Sequence, residues 1–429
     1  MTTRITRVRG RRIWDSRGRP TLEVEVTTAS GAVGRAAAPA GASTGSGEAV
    51  DLRDGGTAFG GRDVRRALRG IEEEIAPALV GRDAADQEAV DGLLVALDGT
   101  ADRSRLGANA LVATSMAVAR AAAAATGLPL WRRLAGGGGE LRLPLPEIQI
   151  FGGGAHAGGR LDIQDVMAIA IGAPDYPTAL DWTAEIHRRA GEAMAEQGRL
   201  CGVADEGGWW PAFDTNEQAL EALVRAIEAA GRVPGEEVAI ALDVAASEFG
   251  RGGRYRLRRE GRETDGDGLC ALLLDWLRRY PIVSIEDPLA EDDAATFAAF
   301  TRAAGPRVQV VADDLVVTSA ARIREAAARG AGNTVLLKPN QAGTLSETAA
   351  ALEAAREVGW HAIVSARSGE TEDATIVHLA VGWRVPQLKV GAMTRGERTA
   401  KWNEGLRIAE ALPAGGALPP PSRFPWGRS

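Results

Sequence analysis

The chain has two cysteines in 429 residues, Cys201 and Cys270, and no C-x-x-C pair. That excludes a disulfide framework or a thiolate zinc site as the organising principle and suits a reducing, cytoplasmic compartment. There is no surplus of positive charge. The net charge is −7, so the basic footprint of a nucleic-acid binder is missing. Histidine is scarce, with four residues. His187, His361 and His378 fall in helical or strand patterns, as packing residues do. His156 sits in a glycine-rich loop, where functional residues concentrate. The N-terminus, Met1–Thr2–Thr3–Arg4–Ile5, has no apolar run, which predicts no secretory signal. The longest small-apolar stretch, 108–125, contains Asn109, Ser115 and Arg120. It reads as a buried or amphipathic helix, and no membrane partner is expected.

What is present fits an ordinary globular protein, at 45% hydrophobic and 25% charged residues. The length predicts two domains. Residues 3–38 alternate: Thr21, Glu23, Glu25 and Thr27 interleave with Leu22, Val24 and Val26, the period of a half-buried antiparallel strand. A small-residue loop follows at 39–47, suited to a mobile lid or a phosphate cradle. It is no Walker loop, since no lysine follows its second glycine. Helical periodicity covers 63–80, 84–97 and 108–125, with Asp63 as the expected N-cap of the first. Strands and helices in separate runs predict an α+β domain over 1–138, ending at the linker Gly136–Gly137–Gly138–Gly139.

From 139 to 429 the pattern becomes strand, loop, helix, repeated. The stretch NTVLLKPNQ at 333–341 shows its logic. Thr334–Val335–Leu336–Leu337 reads as a strand buried on both faces, and it ends on Lys338. Other apolar runs end likewise: 239–242 on Asp243, 281–285 on Glu286, 308–312 on Asp313, 361–364 on Ser365 before Arg367, and 387–388 on Lys389. In an α/β barrel these ends converge on one face, where such barrels carry chemistry. The first two strands, near 145–151 and 163–171, have no helix between them, so the barrel begins irregularly. Pro419–Pro420–Pro421 and the tail to Ser429 are expected to be disordered.

Asp243, Glu286 and Asp313 are three carboxylates at successive strand ends. Converging like charges repel without a cation, and hard oxygen ligands of this kind suit Mg²⁺. Each could instead cap a helix. Beside divalent cations a lysine loses its proton more readily, which makes Lys338 a candidate general base. Ala204–Asp205–Glu206–Gly207–Gly208 places an acidic pair in a glycine turn.

Together these residues resemble the enolase family of phosphopyruvate hydratases, where a lysine base works with one or two Mg²⁺. The resemblance spans nearly the whole chain. It is carried by DSRGRPTLEVEV at 15–26, PAGASTG at 39–45, SRLGANA at 104–110, GGAHAGG at 153–159, DEGG at 205–208 and ALDVAASEF at 241–249. PIVSIEDPLAEDD at 281–293, DDLVVT at 313–318, NQAGTLSET at 340–348 and RSGETED at 367–373 continue it. The resemblance implies that Asp243, Glu286 and Asp313 bind one Mg²⁺ and that Ser43 helps hold a second with the substrate. It implies Lys338 as the base that removes the proton α to a carboxylate, and Glu206 as the acid on the departing hydroxyl. Arg367 and Ser368 would hold a phosphoryl group, Lys389 the carboxylate, and His156 would sit beside the substrate on a closing loop. A homodimer or homo-octamer acting on a small phosphorylated or phosphonylated carboxylate is implied as well.

The chain departs from the family pattern near these residues. The family's SHRSGET reads SARSGET here, with Ala366 for histidine. Its QEF becomes Gln164–Asp165–Val166, one methylene shorter at the carboxylate facing the substrate hydroxyl. The Phe-Ala after DEGG becomes Trp209–Trp210, the asparagine before the glycine loop becomes Gly152, the residue after the lysine becomes Pro339, and the lid's first serine becomes Ala40. The vacated imidazole beside Arg367 predicts a substrate enlarged at phosphorus, as for carboxyphosphonoenolpyruvate synthases of phosphonate pathways. The alternatives are an ordinary enolase and a non-catalytic enolase-like scaffold.

Overall fold

Alternation of apolar and charged residues over 20–28 gives a strand with one dry face. In the computed structural model, which describes residues 2–427, Pro20–Thr28 is the central strand of an antiparallel meander between Ile5–Trp14 and Val33–Ala37. Leu22, Val24 and Val26 are fully buried. Glu25, on the opposite face, pairs with Arg11 at 2.8 Å. The dry face packs on the helix Ala108–Ala125. The approach is close enough that a Cβ on Gly34 would stand 2.1 Å from the Ala121 nitrogen, so only glycine fits there. That helix is long and apolar enough to cross a membrane, but it is buried as the centre of the N-terminal core.

The other two helical predictions hold with corrected ends. Asp63 does not cap its helix. The helix begins at Arg65, and Asp54 of the preceding loop accepts from the Arg65 and Arg66 amides at 3.0 and 2.9 Å. Asp63 is drawn instead to the guanidinium groups of Arg12 and Arg65. The run then widens to π geometry over Ile71–Ile75, just before Pro77, which has no N–H to give. The next helix spans Gln87–Asp98, because Asp86 accepts from the Ala89 amide and fixes the start three residues late.

Eight strands close the barrel: Leu145–Gly152, Asp165–Ile169, Ala239–Asp243, Ile282–Glu286, Gln309–Ala312, Thr334–Leu337, His361–Ser365 and Gln387–Gly391. They neighbour one another in sequence order, and the eighth pairs with the first. The second runs antiparallel to both neighbours and all other barrel pairs are parallel. Twelve residues with no crossover helix join strands one and two, and a parallel return needs such a crossover. This reversal has a functional effect. It brings the beginning of strand two, Gln164 and Asp165, to the face where the other strands end.

The tail is ordered through Gly427, contrary to the sequence expectation. Phe424 is buried in the barrel core and stacks on Trp426 at 4.8 Å, and Arg142 holds the Leu418 carbonyl at 2.9 Å. Burial of the Phe424 ring and half-burial of Trp426 offset the entropy of ordering a proline-rich segment. Arg428 and Ser429 lie outside the described residues.

The barrel interior is not wholly apolar. Glu147, in strand one, points inward beneath the mouth and accepts from Gln387 Nε2 at 2.7 Å. Burial pushes its carboxyl up from 4.5 to about 7, with Lys389 partly opposing the rise. The unfolded chain ionises this carboxyl first, so stability falls as pH climbs from about 4.5 to about 7 and is flat above. Glu147→Gln is therefore expected to stabilise the protein at pH 8 by on the order of 2–3 kcal/mol and to change little at pH 4. Urea unfolding at the two pH values checks this; equal effects at both would remove the explanation.

Candidate active site

A lysine or carboxylate that ends a buried strand must find a counter-charge, and each one here does. Lys338 follows strand six and is the residue before a short helix that opens on Pro339, whose fixed φ suits that first helical position. Its amide donates to Thr318 Oγ1 at 3.0 Å, and its ammonium is bound to Asp313 Oδ2. Lys389 Nζ lies 2.7 Å from both Asp243 Oδ2 and Glu286 Oε2, and 3.5 Å from Asp165 Oδ2. None of Asp243, Glu286 and Asp313 caps a helix; their oxygens turn into the barrel mouth.

The charges there do not balance. Burial, and then the charge of Asp243, pushes the Glu286 carboxyl well above the usual range. Burial pushes Asp243 up, but the charge and hydrogen bond of Lys389, with Lys338, more than reverse that and hold it below its usual value. Burial pulls Lys338 down, but Asp313 and Glu286 more than reverse that, and its pKa lies above the ordinary lysine value. The sequence expectation of a lowered value assumed divalent cations at these carboxylates, and the protein groups alone give the opposite sign. Hard oxygens with a deficit of positive charge are the donor set that Mg²⁺ takes, so Asp243, Glu286 and Asp313 fit that ion. Asp314 and Asp287 stand behind them. Asp287 accepts the amides of Asp313 and Asp314 at 2.9 Å each, which makes it a brace for the backbone that carries Asp313.

The mouth encloses a cavity of about 20 Å³, room for about one water. Lys338, Lys389, Asp243, Gln164, Asp165, His156 and Glu206 line it from the barrel, with Ala366, Arg367 and Ser368 opposite and Ser43 from the lid. Glu286 and Asp313 do not line it but are bound to the Lys389 and Lys338 ammonium groups that do. Ala366 borders the cavity as its position predicts, but this volume gives no support to an enlarged substituent.

On the Arg367 side the 39–47 loop and Glu48 after it pack against the barrel mouth. Arg367 Nη1 and Nη2 hold Glu48 in a bidentate pair at 2.9 and 3.1 Å, and Nη2 also donates to the Ser43 carbonyl at 3.0 Å. A Cβ on Gly41 would stand 2.0 Å from Nη2, so the lid needs glycine there. Arg17 donates to the Ala40 carbonyl at 2.9 Å and to Ser368 Oγ at 3.2 Å, which ties the N-terminal meander to the lid and the barrel. The fully buried Arg398 donates to the carbonyls of Arg367, Ser368 and Val390. The sequence reading passed over Glu48, Arg17 and Arg398. Arg17 lay inside a quoted segment, but the partners of all three are remote in sequence. Gln149 was also missed, though it left a signal: a polar residue two after Glu147 in an otherwise apolar strand. It donates to Asp165 and accepts the Gly208 amide at 2.7 Å.

Across the cavity, His156 Nδ1 is 3.7 Å from both Asp165 Oδ1 and Glu206 Oε1. Burial, then the charge of Glu206, raises the Asp165 carboxyl to about 6, so Asp165 can hold a proton near neutral pH. The Trp209–Trp210 substitution acts here. The Trp210 indole N–H is bound to the Ala157 carbonyl beside His156, under the Arg160 guanidinium at 5.3 Å. Trp209 stacks on His187 at 4.5 Å. Trp210→Phe keeps a ring and loses the N–H. The expected result is roughly fivefold faster amide exchange over 153–159, for a bond worth about 1 kcal/mol, with strand amides unaffected. Unchanged exchange in that loop would show that the indole does not hold it.

Two family models match the chain: "Enolase, N-terminal domain" over residues 5–134 and "Enolase, C-terminal TIM barrel domain" over residues 140–418. The chain is also 49% identical over 411 residues to the enolase of Rubrobacter xylanophilus, a match covering 96% of this chain and 95% of that protein.

Proposed function

This chain belongs to the enolase family, and from that premise we propose that it is a cytoplasmic lyase interconverting 2-phosphoglycerate with phosphoenolpyruvate and water. The observation that carries the proposal is the pairing of Lys338 with a buried carboxylate cluster on one side of the cavity, opposite Arg367 and Ser368, with Glu206 and Asp165 on a third side. Lys338 removes the proton α to the substrate carboxylate. It is free to do so only when the charge of Asp313 is engaged elsewhere, because the pair otherwise holds its proton. Glu206, with Asp165 and His156, delivers a proton to the departing hydroxyl. Arg367 and Ser368 take the phosphoryl group in place of Glu48, and Lys389 faces the carboxylate. Asp243, Glu286 and Asp313 would hold Mg²⁺, with Ser43 toward a second ion, and the bound metal would supply positive charge where the carboxylate gains negative charge.

Composition supports the base assignment. The chain has three lysines, Lys338, Lys389 and Lys401, against 47 arginines, and all three are buried. Arginine stays protonated, so it cannot serve where a proton must be accepted.

The test is turnover of 2-phosphoglycerate by the purified protein in Mg²⁺. Lys338→Ala and Lys338→Arg are both expected to lower kcat by about 10²–10⁴-fold. An arginine variant with wild-type kcat would eliminate the base. A second reading, a substrate carrying a larger group on phosphorus, is favoured by Ala366 beside Arg367 and by the shortened Asp165. Under it 2-phosphoglycerate is turned over poorly and Ala366→His raises that rate. Ordinary turnover by the native chain would retire this second reading.

A further inference from the structure

Gln149 is fully buried in the first barrel strand. It stands opposite Met167 of the antiparallel second strand, so Asp165, two residues before Met167, is its diagonal neighbour on one face of the sheet. Its Oε1 accepts the Gly208 amide at 2.7 Å, and its Nε2 donates to Asp165 Oδ1. The orientation is forced. An N–H on one side requires the amide oxygen, which leaves the NH₂ for the carboxylate. One side chain thus ties Asp165 to the turn 205–208 that carries Glu206.

The surroundings leave room for this side chain and no other. A Cβ on Gly208 would stand 2.5 Å from Gln149 Oε1. A Cβ on Gly152, where the family pattern has asparagine, would stand 2.4 Å from the Ala204 Cβ and push the turn away. Both positions need glycine for the turn to lie this close. The bond to Gln149 also divides the two oxygens of Asp165. Oδ1 is committed to the amide, while Oδ2 is buried, makes no hydrogen bond and lies 3.5 Å from Lys389 Nζ. A buried carboxylate oxygen without a hydrogen bond is costly, and Asp165 lines the cavity. Oδ2 is therefore the oxygen left for an incoming hydroxyl.

We propose that Gln149 is a positioning residue for the departing hydroxyl: it holds Asp165 and Glu206 at one spacing and reserves Asp165 Oδ2 for that group. The inference rests on the reaction proposed above. It adds how the shortened carboxylate at 165 is held to its task, by an amide reaching across from strand one.

The experiment compares the native full-length protein with two variants. Gln149→Met keeps the volume and loses both bonds. Gln149→Asn keeps the amide but is one methylene too short to span both partners. With 2-phosphoglycerate and Mg²⁺, each is expected to lower kcat by about 10–100-fold and to leave KM within about threefold, the mark of an interaction used in the transition state. The Gly208 amide is expected to exchange about fivefold faster in Gln149→Met. A side chain that only filled the core would be replaced by methionine at little cost. Wild-type kcat in either variant would therefore overturn the proposal, as would a raised KM at unchanged kcat. Unchanged exchange at Gly208 would break the tie itself. A native chain that does not act on 2-phosphoglycerate, with faster Gly208 exchange in Gln149→Met, would keep the tie and lose the proposed reaction.

Discussion

The Lys389 ammonium lies 2.7 Å from an oxygen of Asp243 and 2.7 Å from one of Glu286, in a layer with almost no access to water. Two carboxylates this close cannot both ionise in a low-dielectric setting without a cation between them. The lysine is what allows the eighth barrel strand to lie opposite the third and fourth with charged ends facing inward. Lys338 does the same for Asp313. Yet two ammonium groups do not neutralise the mouth, and Glu286 stays well above its ordinary pKa. The fold has placed charge it cannot fully compensate, at a cost in stability, and a site that attracts further cations follows from that.

The barrel was legible in the sequence because its signal is repetitive: each buried run stops at a charged or polar residue, and the next helix follows. The missing crossover between strands one and two was equally visible, although the antiparallel direction of the second strand was found only in the structure. Errors arose where a long-range partner outweighed a local rule. Asp63 has the composition of an N-cap, but arginines from a neighbouring strand and its own helix draw it away, and Asp54 takes the cap. The proline-rich tail has the composition of a disordered end, yet Phe424 finds the barrel core. Neither outcome can be read from a window of a few residues.

The same distinction divides the site. Residues at strand ends could be named from pattern alone, since the barrel carries them to one face whatever surrounds them. Glu48, Arg17 and Arg398 could not. Glu48 is 319 residues from Arg367 in sequence, and nothing in its neighbourhood marks it as a partner for that guanidinium. These three side chains share one task. They fix the backbone or the charge of the segment carrying Arg367 and Ser368 from three directions: the 39–48 loop, the meander and the helix Gly396–Ala411.

Glu48 also explains how Arg367, which the proposed reaction assigns to a phosphoryl group, is buried without one. A lone guanidinium in this layer would carry an uncompensated charge, and a carboxylate presenting two oxygens to its fork matches the geometry of a phosphoryl group. Glu48, just after the 39–47 loop, thus supplies the anion that balances Arg367 in this structure. Under the proposed reaction, a substrate phosphoryl group on Arg367 would displace Glu48 from the guanidinium, and with it the contact to the carbonyl of Ser43, five residues earlier in the chain. On the proposed reaction, capture of substrate would then exchange one anion for another on the same arginine, and would couple that exchange to the 39–47 loop.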